Sequence, residues 1–304
     1  MEGGPRGRDI LQSMATPPAP HLAPTHALDP RDPRVVALGA ALRTMSRLSP
    51  GTGARLAEAL FVKTVRVRVR PTEVAFLRRA ERFTVQANGQ TVAGYRWGTG
   101  PTVLCTHGWW SHAGRFAVLG DALLTAGHSV IAFDAPGHGR SAGWRATMPE
   151  FARALEAVAA HAGGVDAVVG HSLGGAATVF ALARGLHARR AVVLAAPTDL
   201  QSWAERFRDA LRIPPAVYEQ MQANMIRRIG VHWEDLVIPA LAARVTVPGL
   251  VVHCDDDPDV AIAEGEALAA AWPAATLYRT SNLGHRAILR DPGVVAKVVE
   301  FVGG

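Results

Sequence analysis

The chain has 304 residues, enough for one large α/β domain with additions or for two smaller ones. A hydrophobic fraction of 49% and a charged fraction of 19% exclude a mostly disordered chain, and two cysteines, Cys105 and Cys254, exclude a disulfide framework or a cysteine-built metal site. The formal charge of +6 is uneven: residues 1–82 hold 14 basic and 7 acidic residues, whereas residues 83–304 hold 18 and 19 and are close to neutral.

Residues 1–32 are rich in Pro, Gly and Ala without periodicity and read as a flexible tail, with Met14 as a second plausible start. They lack the apolar stretch of a secretory signal, and no run of the chain is apolar enough to span a membrane, so the expected location is cytoplasmic. Residues 33–82 read as a helical extension. One helix runs from Pro33 to about Leu48 with Val36, Leu38, Leu42 and Met45 inward, and Ser49-Pro50-Gly51 breaks it. A second spans about Thr52 to Val62 with Leu56, Leu60 and Phe61 inward, and residues 72–80 suit a short third. The basic run Lys63, Arg66, Arg68 and Arg70 suits a solvated face, with weak contact to a membrane or protein partner as the other use and no nucleic acid expected.

From residue 83 the pattern changes to short apolar runs split by turns. Phe83–Ala87 and Val92–Trp97 flank Asn88-Gly89, a hairpin signal. Six further strand-like runs follow: Thr102–Thr106, Ser129–Phe133, Ala167–Gly170, Arg190–Ala195, Gly249–His253 and Thr276–Tyr278. Helical stretches at 113–126, 148–162, 173–186, 260–272 and 291–302 alternate with them. The expected core, residues 83–198 and 245–304, is a mostly parallel sheet covered on both faces, with the hairpin as an antiparallel edge. Residues 199–244 are too long for a simple crossover and read as a helical cap over the carboxyl edge of the sheet.

The sharpest chemical signal is Gly170-His171-Ser172-Leu173-Gly174-Gly175, between a strand and a helix pattern. A serine on such a strained turn stands clear of the sheet, and the helix behind it aims N–H groups at developing negative charge. Its base must lie at the same sheet edge; His285, in Gly284-His285-Arg286 after the last strand, is so placed, whereas His171 lies too near the serine along the turn and reads as structural. The base needs an orienting acid, and Asp257 in Asp255-Asp256-Asp257-Pro258-Asp259 is the first choice, with Asp199 as rival. The cluster lacks the spacing of a metal-binding loop. Two oxyanion donors are expected, the Leu173 N–H and the Trp109 N–H of His107-Gly108-Trp109-Trp110, with Trp109 and Trp110 walling the acyl pocket. The loop Asp134-Ala135-Pro136-Gly137-His138-Gly139-Arg140-Ser141 lacks a nucleotide-binding pattern, and Asp134 and His138 suit hydrogen-bonded ties.

Together these motifs resemble the α/β-hydrolase superfamily, in its lipase/esterase-like branch, over about residues 83–304. The resemblance implies an eight-stranded, mostly parallel sheet with a helical cap. It implies Ser172, Asp257 and His285 as a catalytic triad and Trp109 and Leu173 as oxyanion donors. It also implies a small-molecule ester substrate and neither cofactor nor metal. This chain has His253-Cys254 where the family usually has His-Gly. The same triad serves thioesters, amides, lactones, carbon–carbon bonds beside carbonyls and acyl transfer, and a non-enzymatic scaffold would be marked by a broken triad.

Overall fold

The computed structural model describes residues 29–304; most of the expected tail, including Met14, lies outside the described residues. Three helices come first: α1 (Pro33–Leu48), α2 (Pro50–Phe61) and α3 (Pro71–Arg78). Each opens on a proline, whose fixed φ suits the first helical position and whose missing N–H would have no partner there. Pro50 therefore starts α2, two residues before the expected boundary, and Ser49 caps it by accepting from the Thr52 N–H.

The sheet and its helices follow as β1 (Glu81–Ala87), β2 (Gln90–Trp97), β3 (Thr102–Thr106), α4 (Ala117–Thr125), β4 (Ser129–Phe133), α5 (Met148–His161), β5 (Ala167–His171), α6 (Leu173–Ala183) and β6 (Arg190–Leu194). Then come α7 (Leu200–Leu211), α8 (Pro215–Ile229) and α9 (Ile238–Ala242), the helices of the cap stretch. The chain returns to the sheet with β7 (Gly249–Cys254), α10 (Ile262–Ala271), β8 (Ala275–Thr280), α11 (Gly284–Ala287) and α12 (Pro292–Gly303). The eight strands lie in the order β1-β2-β4-β3-β5-β6-β7-β8. β1 and β2 are antiparallel to their neighbours, and the remaining pairs are parallel. Asn88 (φ 53°) and Gly89 (φ 75°) make the tight turn of the hairpin.

Side chains alternate between two apolar layers, as a pleated strand requires. Leu104, Ile131 and Phe133 face Phe151, Leu155 and Val179 of α5 and α6. Val103, Cys105, Val130 and Ala132 face Leu119, Leu123, Val294 and Val298 of α4 and α12. Both cysteines are buried and free.

A third apolar cluster joins the two ends of the helical sequence. Val35, Leu42, Ala54, Ala57 and Val62 of the first helices and their exit pack with Phe207, Leu211, Tyr218, Met221 and Met225 of α7 and α8. Of the residues of α1 expected inward, Leu42 is buried, but its companions are Val35, Gly39 and Ser46; Val36, Leu38 and Met45 are exposed. The reason is close approach. A Cβ on Gly39 would stand 2.6 Å from the Leu211 carbonyl oxygen, and one on Gly53 would stand 2.2 Å from Ser46 Oγ. Small residues let the backbones meet, and this contact outweighs burial of the larger apolar row. Likewise α2 buries Gly53, Ala54 and Ala57, while Leu56 is exposed. Part of the basic run is used internally: the Arg66 guanidinium donates to the carbonyls of Gly139, Ser141 and Gly143 at 3.0, 2.9 and 3.1 Å. Among the described residues no helix is long and apolar enough to cross a membrane.

Candidate active site

Ser172 sits between β5 and α6 with φ 54° and ψ −128°, a conformation that L-residues rarely hold without over-determined surroundings. Those surroundings are glycine contacts. A Cβ on Gly170 would lie 2.6 Å from the Gly174 carbonyl oxygen, and one on Gly174 would lie 2.4 Å from the Thr106 carbonyl oxygen. The turn is closed by the Ser172 N–H donating to the Leu194 carbonyl at 2.8 Å.

His285 lies on α11, and its Nδ1 is 2.8 Å from Asp257 Oδ2. The other oxygen of Asp257 accepts from the Asp259 and Val260 N–H groups at 2.8 and 3.0 Å. Burial pushes the Asp257 carboxyl up, but the hydrogen bond and charge of His285 and these two N–H donors outweigh it, and the group lies below the usual carboxylate range. The carboxylate is thus ionised and aimed. Asp199, the rival acid, caps α7 by accepting from the Ser202 N–H at 3.0 Å. Ser172 and His285 line one cavity of about 300 Å³. Their contact with each other is absent from the hydrogen bonds among the described residues, a link that in unliganded sites commonly tightens only with substrate.

Three further histidines hold the loops around the serine. The Ala135 N–H donates to His107 Nε2 at 3.0 Å, so the proton of His107 is on Nδ1, which donates to the Gly108 carbonyl at 2.7 Å. In a trans peptide the N–H of Trp109 points opposite to that carbonyl. A Cβ on Gly108 would stand 3.1 Å from Ser172 Oγ, so this peptide lies beside the hydroxyl. The Trp110 N–H is already donated to His138 Nε2 at 3.1 Å, and His138 Nδ1 donates to the Pro136 carbonyl at 2.9 Å. His171 Nε2 donates to the His285 carbonyl at 2.8 Å, tying the serine turn to the histidine loop. Burial lowers the pKa of His107, His138 and His171 to about 3 each, with His285 adding to the effect at His171. All three stay neutral at ordinary pH. Asp134 accepts from the Ala113 and Arg140 N–H groups, both at 2.8 Å, and from the Tyr95 hydroxyl at 3.0 Å.

The cavity walls come from both ends of the chain. Trp109, Trp110 and Leu173 line it, as do Trp203, Phe207 and Met225 of the cap and Leu60, Phe61 and Lys63 at the end of α2. Sequence reasoning missed the α2 contribution because nothing in a local pattern pairs α2 with α8. Apart from Asp257, it grouped the aspartates of the acidic loop together, whereas each has its own place. Asp255 pairs with Arg279, and Asp256 accepts from the Asn282 N–H at 2.7 Å and the Cys254 thiol at 2.8 Å. Asp257 holds His285, and Asp259 lines the cavity. Cys254 is thereby more than a tolerated glycine replacement: its sulfur also accepts from the Leu283 N–H at 3.3 Å, tying the acid loop to the histidine loop. Among the described residues no cluster of side chains suits a metal ion.

The family model Hydrolase_4, described as serine aminopeptidase S33, matches residues 100–234, a span that holds Ser172 but neither Asp257 nor His285. A non-heme haloperoxidase of Rhodococcus erythropolis is 31% identical over 165 residues, which are 51% of this chain and 57% of that enzyme's length. Among solved structures, an esterase of Pyrococcus furiosus superposes with a TM-score of 0.61 at 19% identity, covering 79% of this chain and 98% of the other. An esterase of Exiguobacterium antarcticum does so with 0.58 at 16%, covering 74% and 100%. The strand order, the serine turn after β5 and these likenesses agree on the fold: the chain has the α/β-hydrolase fold.

Proposed function

We propose that the protein is a serine hydrolase that cleaves a carboxylic ester of small to medium acyl chain through an acyl-enzyme. Ser172 attacks the carbonyl, and His285 takes its proton at Nε2 and returns it to the leaving alcohol. Asp257 holds the ring in that tautomer and stabilises the imidazolium. The Trp109 and Leu173 N–H groups stabilise the oxyanion, and water then cleaves the acyl-enzyme. The observation that carries this reading is the buried 2.8 Å contact of His285 Nδ1 with Asp257, with His285 and Ser172 lining one cavity. The neutral state of His171 also suits it, since that ring adds no positive charge beside the imidazolium. Cleavage of an amide is the second reading, favoured by the aminopeptidase description of the matching family.

Labelling with a fluorophosphonate tests the nucleophile. The parent protein should label at one site, and Ser172→Ala should lose both the label and nearly all turnover while keeping its circular dichroism. Undiminished labelling of that variant would place the nucleophile elsewhere. Assays on an ester and an amide of one acyl group then decide between the two bond types.

A further inference from the structure

The cavity wall is apolar apart from a few groups, and two of these have no place in ester cleavage. Asp259 lines the cavity. It is only 8% exposed, and its Oδ1 has no hydrogen-bond partner among the described residues. Trp203, on α7, lines the same cavity, and its Nε1 is buried without an acceptor. One is an acceptor and the other a donor, and both are out of water. Buried polar atoms are nearly always paired, and a carboxylate oxygen left bare costs free energy that a leucine at the same place would not. The neighbouring Asp255, Asp256 and Asp257 all have partners, so the loop does not merely leave its acids to solvent.

Resting on the serine-hydrolase reading, we propose that the substrate carries, away from its scissile bond, a hydroxyl or secondary amide that bridges Asp259 and Trp203. Its O–H or N–H donates to Asp259, and its oxygen accepts from Trp203 Nε1. A plain alkyl substituent leaves both atoms bare. An ammonium group has nothing to accept the indole proton with, and two cations already stand nearby: Lys63 lines the cavity, and the Arg206 guanidinium lies 4.5 Å from the Trp203 ring centroid. The neutral donor–acceptor group therefore fits where a cation does not. A site built to bond such a group discriminates against the analogue that lacks it far more strongly than an apolar pocket rejects an added hydroxyl.

The test uses matched esters followed by proton release: methyl hexanoate against methyl 6-hydroxyhexanoate and methyl N-acetyl-β-alaninate, and pentyl butanoate against 4-hydroxybutyl butanoate. At least one polar member should exceed its alkyl match in kcat/KM by about 10- to 100-fold, the scale of one hydrogen bond to a charged group. Asp259→Leu and Trp203→Phe should bring that ratio to one or below. Asp259→Leu should also melt no lower than the parent, because Oδ1 has no internal bond to lose. The same esters titrated calorimetrically into Ser172→Ala give the affinity ratio without turnover. A polar preference there, with no cleavage by the parent, would keep this inference and overturn the hydrolase reading. Alkyl esters cleaved and bound as well as every polar match would do the reverse. A drop in melting temperature for Asp259→Leu, with all esters slowed equally, would make the carboxylate structural and overturn the inference.

Discussion

His107, His138 and His171 each donate one ring N–H to a backbone carbonyl, and burial makes all three weak proton acceptors. Their effect on chemistry is through geometry. If His107 fixes the peptide whose N–H faces the oxyanion, His107→Leu should lower kcat by about 10²- to 10³-fold, the loss expected for one oxyanion donor, and leave KM within a few-fold. Stopped-flow single turnovers would check this; equal losses in kcat and in affinity would give the ring a general packing role instead. The acids separate in the same way. Asp257→Asn should cost about 10⁴-fold in turnover, because the amide would hold the His285 ring in the wrong tautomer. Asp199→Asn should leave turnover nearly intact and destabilise by less than about 1 kcal/mol, since Asn still caps a helix. Steady-state kinetics and a urea titration of the two variants decide, and reversed results would move the acid to Asp199. Trp110, at φ 48°, holds a strained backbone in the cavity wall. Trp110→Ala should move the fall-off in acyl-length preference to longer chains.

At the scale of elements, the contact of α1 with α2 and α7 depends on side chains that are nearly absent. Gly39→Val drives a methyl group into the Leu211 carbonyl and should cost about 1–3 kcal/mol by overpacking. Because Leu60, Phe61 and Lys63 at the end of α2 line the cavity, the same change should also blunt the preference for short esters. The parent should favour acetate to hexanoate over laurate to palmitate, and a p-nitrophenyl ester series measures both profiles. A parent that favours the long esters would make the cap a mobile lid. These elements also mark where sequence reasoning stopped. Asn88-Gly89 announces its hairpin because the turn chemistry is local, and Ser172 and His285 follow from glycines and strand ends within a few residues. The burial face of α1 was not readable, since Gly39 and Ser46 carry no apolar signal while the exposed Val36, Leu38 and Met45 do. Of the four aspartates after β7 the sequence favours Asp257 for its reach into the loop, and the path between β7 and α10 brings that one to His285.

For the molecule as a whole, the buried histidines set its response to acid. In the unfolded chain a histidine titrates near 6.5, whereas folding lowers His107, His138 and His171 to about 3. Between those values the unfolded chain takes up protons that the folded one refuses. Stability is therefore full above about pH 6.5 and falls on acidification, by up to about 1.4 kcal/mol per pH unit for each ring. Asp257, with its lowered folded value, adds to the loss further down: its contribution is present above about pH 3.9 and disappears as the pH drops through that lower value. The urea midpoint should decline continuously from pH 7 to pH 5. A flat midpoint over that range would mean that the rings take up protons within the fold.

The shared packing of α1 and α2 with α7 and α8 also has a consequence in time. During synthesis the first helices leave the ribosome long before their partners exist, and Val35, Leu42, Ala54, Ala57 and Val62 stay uncovered until α8 has been made. The sheet can form its β3–β4–β5 centre from contacts closer in sequence, so the cavity between cap and sheet is expected to close last. Pulsed hydrogen exchange during refolding should find the strand amides protected before those of α2 and α8. A nascent chain stalled near residue 200 should bind chaperones through α1 and α2 and release them once the cap is complete.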